Sequence, residues 1–414
     1  MLKRVGALLL LILPAWSPAM ADELDDLVSA VKSVGPRGTG HAAGVAALKK
    51  LEQRPPQDLV RMLSALDDAT PLTANWLRGA VEAVAARGLQ QGPQLPRGDL
   101  EAFIADRAHS AQARRCAYEW LIKADATAVD RIIPGMLDDP SAEMRRDAVA
   151  LLIVQGAELD AAGKPEEARG VYEQALTGAT DGDQVVALAQ ALAKLDEQVD
   201  LVRHFALVTN WQVIGPFDNH EGVGYAAVYP PEERIDLAAE YEGSKGPVKW
   251  MPLSADAKPD VTDVDEVGKF DLAKLTAPHK GAVSYATTEF VSAANQSVEF
   301  RIATPNAWKL WVNGEPVFSQ EEYHRGMMFD QYAARGKLKQ GRNRILLKVC
   351  QNEQTQDWAQ TWAFQFRVCD LAGKGLNSAD SRAAAMMNHT RERGIADATE
   401  GLSISENGRL QIAK

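Results

Sequence analysis

The chain has 414 residues, 46% hydrophobic and 24% charged, a balance that excludes a disordered or collagen-like polymer and leaves room for two or more domains with their own cores. Its formal charge is −11, from 45 Lys and Arg against 56 Asp and Glu, and no basic cluster follows Lys3-Arg4. Nucleic acid is therefore excluded as the expected partner.

The first 21 residues read as a signal peptide. Lys3 and Arg4 form a charged start, Val5 to Leu13 an apolar run, and Ala19-Met20-Ala21 a small-x-small cleavage site before Asp22. The apolar run is far shorter than the ~20 residues of a membrane-spanning helix, and no Cys follows it to accept a lipid. An exported chain, periplasmic or extracellular after cleavage at Ala21, with no membrane span when mature, is the expectation.

Residues 22–202 read as helix throughout. Leu59, Met62, Leu63 and Leu66 make one apolar stripe, and Trp76, Leu77, Ala80, Val81 and Val84 the next, with Pro71 between them. The arrangement recurs as Leu100, Phe103 and Ile104 before Ala113, Cys116, Ala117, Trp120 and Leu121. It recurs again as Val129, Ile132, Ile133, Met136 and Leu137 before Ala148, Leu151 and Leu152. In the last connection Pro140 stops one helix and Ser141 is placed to cap the next. Helical hairpins spaced about 30 to 40 residues apart bury their faces by stacking, which predicts an α-solenoid, with an irregular helical bundle as the alternative. Leu137 to Leu152 resembles a HEAT repeat, and Gly163 to Leu176 is closer to a tetratricopeptide helix.

Past Val202 the period changes. Trp211 to Phe217 reads as a strand, followed by the polar loop Asp218-Asn219-His220-Glu221-Gly222 and a long irregular stretch from Gly224 to Pro278. Strand-like runs then follow one another: Tyr285 to Val291, Val298 to Ile302, Trp308 to Val312, Ile345 to Val349 and Trp362 to Val368. Asn313-Gly314, between Trp308-Leu310-Val312 and Val317-Phe318, supplies the turn of a tight hairpin. Short strands with turns and no helix between them predict an antiparallel β-sandwich over residues 203–370. Residues 371–414 read as a partly disordered tail with one helix from Ser378 to Arg393 and a turn at Glu406-Asn407-Gly408.

The opening WQVIGPF, the WVNG hairpin at Trp311 to Gly314 and the close LKQGRNRILLKV at Leu338 to Val349 together resemble a galactose-binding-like jelly roll, similar to the sugar-binding domain of glycoside hydrolase family 2. That resemblance implies carbohydrate binding through variable loops. It also implies an absence, because the catalytic carboxylates of that family stand on a (β/α)₈ barrel of about 250 residues. Only 44 residues follow Asp370.

Export permits disulfides, so the three cysteines need an account. Cys350 and Cys369 fall on runs expected to pair as a hairpin around Gln351 to Asp357. Cys369 would then lie about eleven residues up the returning strand, roughly 36 Å away, whereas a disulfide needs Cα atoms within about 7 Å. Three free thiols are expected, Cys116 being a buried helical one.

No motif for catalysis appears. The seven histidines are scattered, with no HExxH, HxH or CxxC, and there is no GxSxG elbow or phosphate loop. Asp218, Asn219, His220 and Glu221 form either a solvated turn or a loop that binds a sugar hydroxyl or a structural calcium ion, the one cofactor considered. Tyr323, His324 and Arg325, just past the hairpin, have the same standing. Aromatic faces stack on the apolar C–H faces of sugars. Alternation puts Trp308 and Trp362 inside and leaves Trp311 and Trp358 as platforms, unless the helical domain or the long stretch covers Trp311. Two functions follow: a non-catalytic carbohydrate-binding protein with a helical docking or spacer domain, or a scaffold whose helical repeats bind a protein while the β-sandwich is structural.

Overall fold

The computed structural model describes residues 18–92, 95–254, 263–276, 280–379, 402–404 and 410–412. The charged and apolar parts of the expected leader lie outside them, as do the turn at 406–408 and nearly all of the helix expected from Ser378 to Arg393. Helices come first and antiparallel sheets follow. The chain divides into two compact units between Leu151 and Leu152.

In the first unit the expected stripes become helices. These are α1 (Pro18–Lys32), α2 (His41–Leu51), α3 (Leu59–Ser64), α4 (Pro71–Gln90), α5 (Arg97–Ala105), α6 (Ala111–Ala124), α7 (Ala128–Ile132) and the start of α8 (Ala142–Ala161). Pro71 sits in the first turn of α4, where a missing N–H costs nothing, and Thr70 caps that turn by accepting from the Thr73 N–H. One apolar cluster runs from Leu24 through Leu63, Leu77, Phe103 and Leu121 to Ala148. Within it Arg114, fully buried, donates to both carboxylate oxygens of Asp139 at 2.9 and 2.8 Å and to the Ile104 carbonyl at 2.7 Å. Asp139 also accepts from the Ser141 N–H at 2.8 Å, so the Asp-Asp-Pro-Ser turn holds a buried charge pair as well as a cap.

The remaining helices, α9 (Pro165–Gly178), α10 (Gly182–Ala193) and α11 (Leu201–Phe205), fall in the second unit with the strands. For α11 the contacts with the strand region are direct. Phe205 lies 4.5 Å from the Phe329 ring, and the Arg367 guanidinium of a strand lies over both rings.

The strands are β1 (Asn210–Asp218), β2 (Glu240–Gly243), β3 (Gly246–Lys249), β4 (Met251–Ser254), β5 (Phe270–Asp271), β6 (Ala282–Ser292), β7 (Gln296–Ala303), β8 (Ala307–Val312), β9 (Glu315–Gln320), β10 (Tyr332–Leu338), β11 (Gly341–Gln351), β12 (Ala363–Cys369), β13 (Leu402–Ile404) and β14 (Leu410–Ile412). A six-stranded antiparallel sheet has the order β4-β1-β6-β11-β8-β9, and a four-stranded one β10-β7-β12-β5. Trp211, Val213, Leu310, Ile345 and Leu347 of the first share one apolar cluster with Phe300, Ile302, Phe364 and Phe366 of the second. Asn313 and Gly314 both have positive φ, as the tight hairpin turn requires.

Two expectations are corrected. The stretch from Gly224 to Pro278 is not without regular structure, since it contributes α12 (Val223–Ala226), α13 (Pro230–Glu233), the β2–β3 hairpin, an edge strand to each sheet and α14 (Leu272–Thr276). It packs on the sheet rather than forming a domain of its own, closing a second cluster on Ile214, Phe217, Tyr285, Leu346 and Cys350. Nor do Cys350 and Cys369 lie on paired strands. β11 and β12 belong to different sheets because the segment between them crosses from one to the other. All three cysteines are free and buried.

Candidate functional site

The sequence candidates fall into two places. At one end of the six-stranded sheet the loop after β1, the loop after β9 and the loop between β11 and β12 meet. Asn219, with no exposed surface, donates from Nδ2 to the Tyr323 hydroxyl at 3.2 Å and to the Gln351 carbonyl at 3.0 Å. The Glu221 N–H donates to the Glu353 carboxylate, and His324 meets the Asn352 side-chain oxygen at 2.7 Å. Trp358 stands edge-on to His324 at 5.2 Å and is 62% exposed. Burial pushes the Tyr323 hydroxyl up to about 12.

This end is largely occupied with holding itself together. Asp218 accepts the His220 N–H at 3.0 Å in a side-chain turn, and its carbonyl accepts from the Tyr229 hydroxyl at 2.5 Å. Arg325 pairs with Glu322. Asp218 turns its carboxylate to the His220 N–H while the buried side-chain oxygen of Asn219 has no hydrogen-bond partner, and among the described residues no three His, Cys, Asp or Glu side chains gather to hold a metal ion. Trp358 is the large apolar side chain that the cluster leaves outward.

Trp311 does not join that group. Four residues of β8, roughly 13 Å of strand, separate it from Ala307, which pairs with Cys350 beside the loops. Alternation places Leu310 and Val312 in the core between the sheets and Trp311 on the opposite face, half-buried. There it borders a cleft of about 590 Å³, walled by Pro231 to Ile235 and floored by Glu289, Arg344 and Leu346. The wall is the long stretch that sequence reasoning allowed as a cover, and it covers Trp311 only in part.

The cleft is polar around one aromatic. Glu289 on β6 lies opposite Arg344 on β11 and accepts from Arg344 at 3.3 Å and from Arg342 at 3.1 Å. Beneath the wall, Glu232 accepts from the fully buried Lys348 ammonium at 2.8 Å and from the Tyr285 hydroxyl. Lys348 also donates to the Ala227 and Tyr225 carbonyls at 2.7 and 3.3 Å, so its three protons are all used. Burial lowers the Lys348 pKa against the opposing pull of Glu232, and burial together with the Glu232 carboxylate raises that of Tyr285. This knot fixes the wall to the sheet. Arg342, Arg344, Glu289, Glu232 and Lys348 were not singled out from sequence, though the alternation of Arg342, Arg344 and Leu346 with core residues gave a signal.

No protein-family model matches this sequence, and no curated protein matches it. Among solved structures, a GH31 α-xylosidase from Xanthomonas citri aligns at 13% identity with a TM-score of 0.14. The alignment covers 24% of this chain and 13% of that enzyme, and at that score it bears on neither fold nor function. Among the described residues no helix is long and apolar enough to cross a membrane.

Proposed function

We propose that this is an exported, non-catalytic carbohydrate-binding protein. Residues 203–370 form its binding domain, a galactose-binding-like jelly roll that takes glycan in the cleft beside Trp311. The helical hairpins of residues 22–202 are HEAT-like repeats and act as a docking surface or spacer. The observation that carries the reading is a half-buried indole bordering an open cleft of about 590 Å³ lined by hydrogen-bonding Arg, Glu and Asn side chains. Apolar ring face beside fixed polar groups is what a sugar ring needs. Two of the three carboxylates there are committed to structure, Glu289 to two guanidiniums and Glu232 to Lys348 and Tyr285, and Glu233 stands exposed on the rim. A glycosidase needs a pair of disposable carboxylates, and Glu233 is a single one.

The test is a glycan array probed with the full chain and with Trp311→Ala. Binding by the parent and a loss of about fivefold or more in the variant, the scale of one aromatic contact, is the expected result. Undiminished binding by a folded Trp311→Ala protein would remove the cleft from the function.

A further inference from the structure

We infer that the ligand of the Trp311 cleft is an acidic oligosaccharide, one bearing carboxylate or sulfate groups and long enough to cross the indole. The inference rests on the carbohydrate reading of the same cleft and adds the charge and length of the ligand.

Length follows from the shape of the surface. Trp311 borders a second hollow, of about 370 Å³, formed with Lys309, Pro316 and Phe318 on the side of the edge strand β9. The two hollows therefore share the indole as a common border. Both volumes fall in the range of about 300 to 1,000 Å³ usual for small-ligand sites. A single sugar fills one side only, whereas a chain of two or more sugars reaches both.

Charge follows from how the cations are spent. Arg342 and Arg344 share one carboxylate, Glu289, through one N–H each, while a guanidinium has five N–H donors in a planar fork suited to carboxylate or sulfate oxygens. Glu232, the acid that would oppose an anion from the wall, is held by Lys348. Among the described residues the second hollow has Lys309 as its one charged border. Glu233, exposed on the rim, is the carboxylate that works against an anion. The chain as a whole carries −11, so a polyanion is repelled at long range and attraction to it has to be local.

The experiment compares matched neutral, uronate-bearing and sulfated oligosaccharides, each as monosaccharide and tetrasaccharide, titrated against the full chain at low salt and at about 0.5 M salt. Acidic tetrasaccharides should bind about tenfold tighter than their neutral counterparts, the scale of one charge-assisted contact. The preference should shrink with salt and disappear in Arg342→Gln/Arg344→Gln, while Glu233→Gln should strengthen it. Circular dichroism keeps misfolded variants out of the comparison. Whether the uronate or the sulfate arm binds identifies the anion, and either supports the inference. Equal binding of neutral and acidic chains, lost in Trp311→Ala, would overturn the acidic assignment and leave the carbohydrate reading standing. Monosaccharides binding as tightly as tetrasaccharides would overturn the crossing of the indole. No binding to any member by the folded chain would overturn both readings.

Discussion

The two faces of the six-stranded sheet are built by different physics. The inner face carries Trp308, Leu310, Ile345, Leu347 and Val349 into a core shared with the second sheet, and its cohesion is apolar burial. The outer face carries Tyr285, Leu346, Lys348 and Cys350 under the excursion that follows β1, and there a buried ammonium, a carboxylate and backbone carbonyls tie the cover down. Apolar faces attract any apolar partner of suitable shape. The polar knot instead specifies which segment lies on the sheet and at what position, since each of its bonds needs a particular acceptor. That position is what leaves the cleft beside Trp311 open.

The comparison breaks most easily at the inner face. Trp308 has no exposed surface and stacks on Phe318 at 5.0 Å. Replacing it with Ala should cost roughly 5 kcal/mol, near the top of the range for a buried aromatic. Chemical denaturation measures this, and a loss below about 2 kcal/mol would mean the shared core is looser than its burial implies.

At the outer face the sensitive change is Glu232→Ala, which strands the Lys348 ammonium in the interior. The expected cost is about 3 kcal/mol, the scale of a broken buried pair. Replacing both partners, as Lys348→Met with Glu232→Leu, should recover most of it, because no charge is then left buried alone. If single and double variants lose equally, the pair is not what anchors the cover.

This asymmetry also decides what the sequence could disclose. Inner-face strands announce themselves by alternation, as Val298-Phe300-Ile302 and Ile345-Leu347-Val349 do, and Asn313-Gly314 marks the hairpin. β10, Tyr-Ala-Ala-Arg-Gly-Lys-Leu, lacks that alternation and is held as a strand by pairing along its whole length with β7. Lys348 reads by alternation as a solvent-facing residue, yet it is fully buried, because Glu232 reaches it from 116 positions earlier in the chain. No local pattern carries a contact of that span. The same holds for the site. Trp311 was legible as an outward aromatic, but the cleft exists only because Pro231 to Ile235 is carried beside it.

Trp311 sharpens the comparison on a single strand. It is far larger than its neighbour Leu310, which lies in the core with 1% of its surface exposed. Face rather than size should set the cost. Trp311→Ala is expected to lose about 1 to 2 kcal/mol because the indole is only partly desolvated, against about 3 kcal/mol for Leu310→Ala. Equal or reversed costs would show that the indole belongs to the second core and is not available to a ligand.

The change of a single thiol tests whether the outer core excludes water despite its charges. Burial pushes the Cys350 thiol from its usual 9.0 up to about 12, against the downward pull of Lys348 and Lys309. Between those values the folded chain keeps a proton that the unfolded chain has released. Stability is therefore present in full below pH 9 and falls as pH rises through this window, by at most about 1.4 kcal/mol per pH unit for one thiol. Lys348 acts oppositely, since its lowered pKa makes the folded state the one with fewer protons below 10.5, and stability rises with pH there. Cys116 and Cys369, each pushed up to about 11 by burial, slope the same way as Cys350 and are common to both proteins in the comparison. The difference between the parent and Cys350→Ala, followed by denaturation from pH 8 to pH 11, thus isolates one thiol. The variant should show the shallower alkaline decline; identical declines would mean that water reaches Cys350 and that the polar knot does not seal the face it holds.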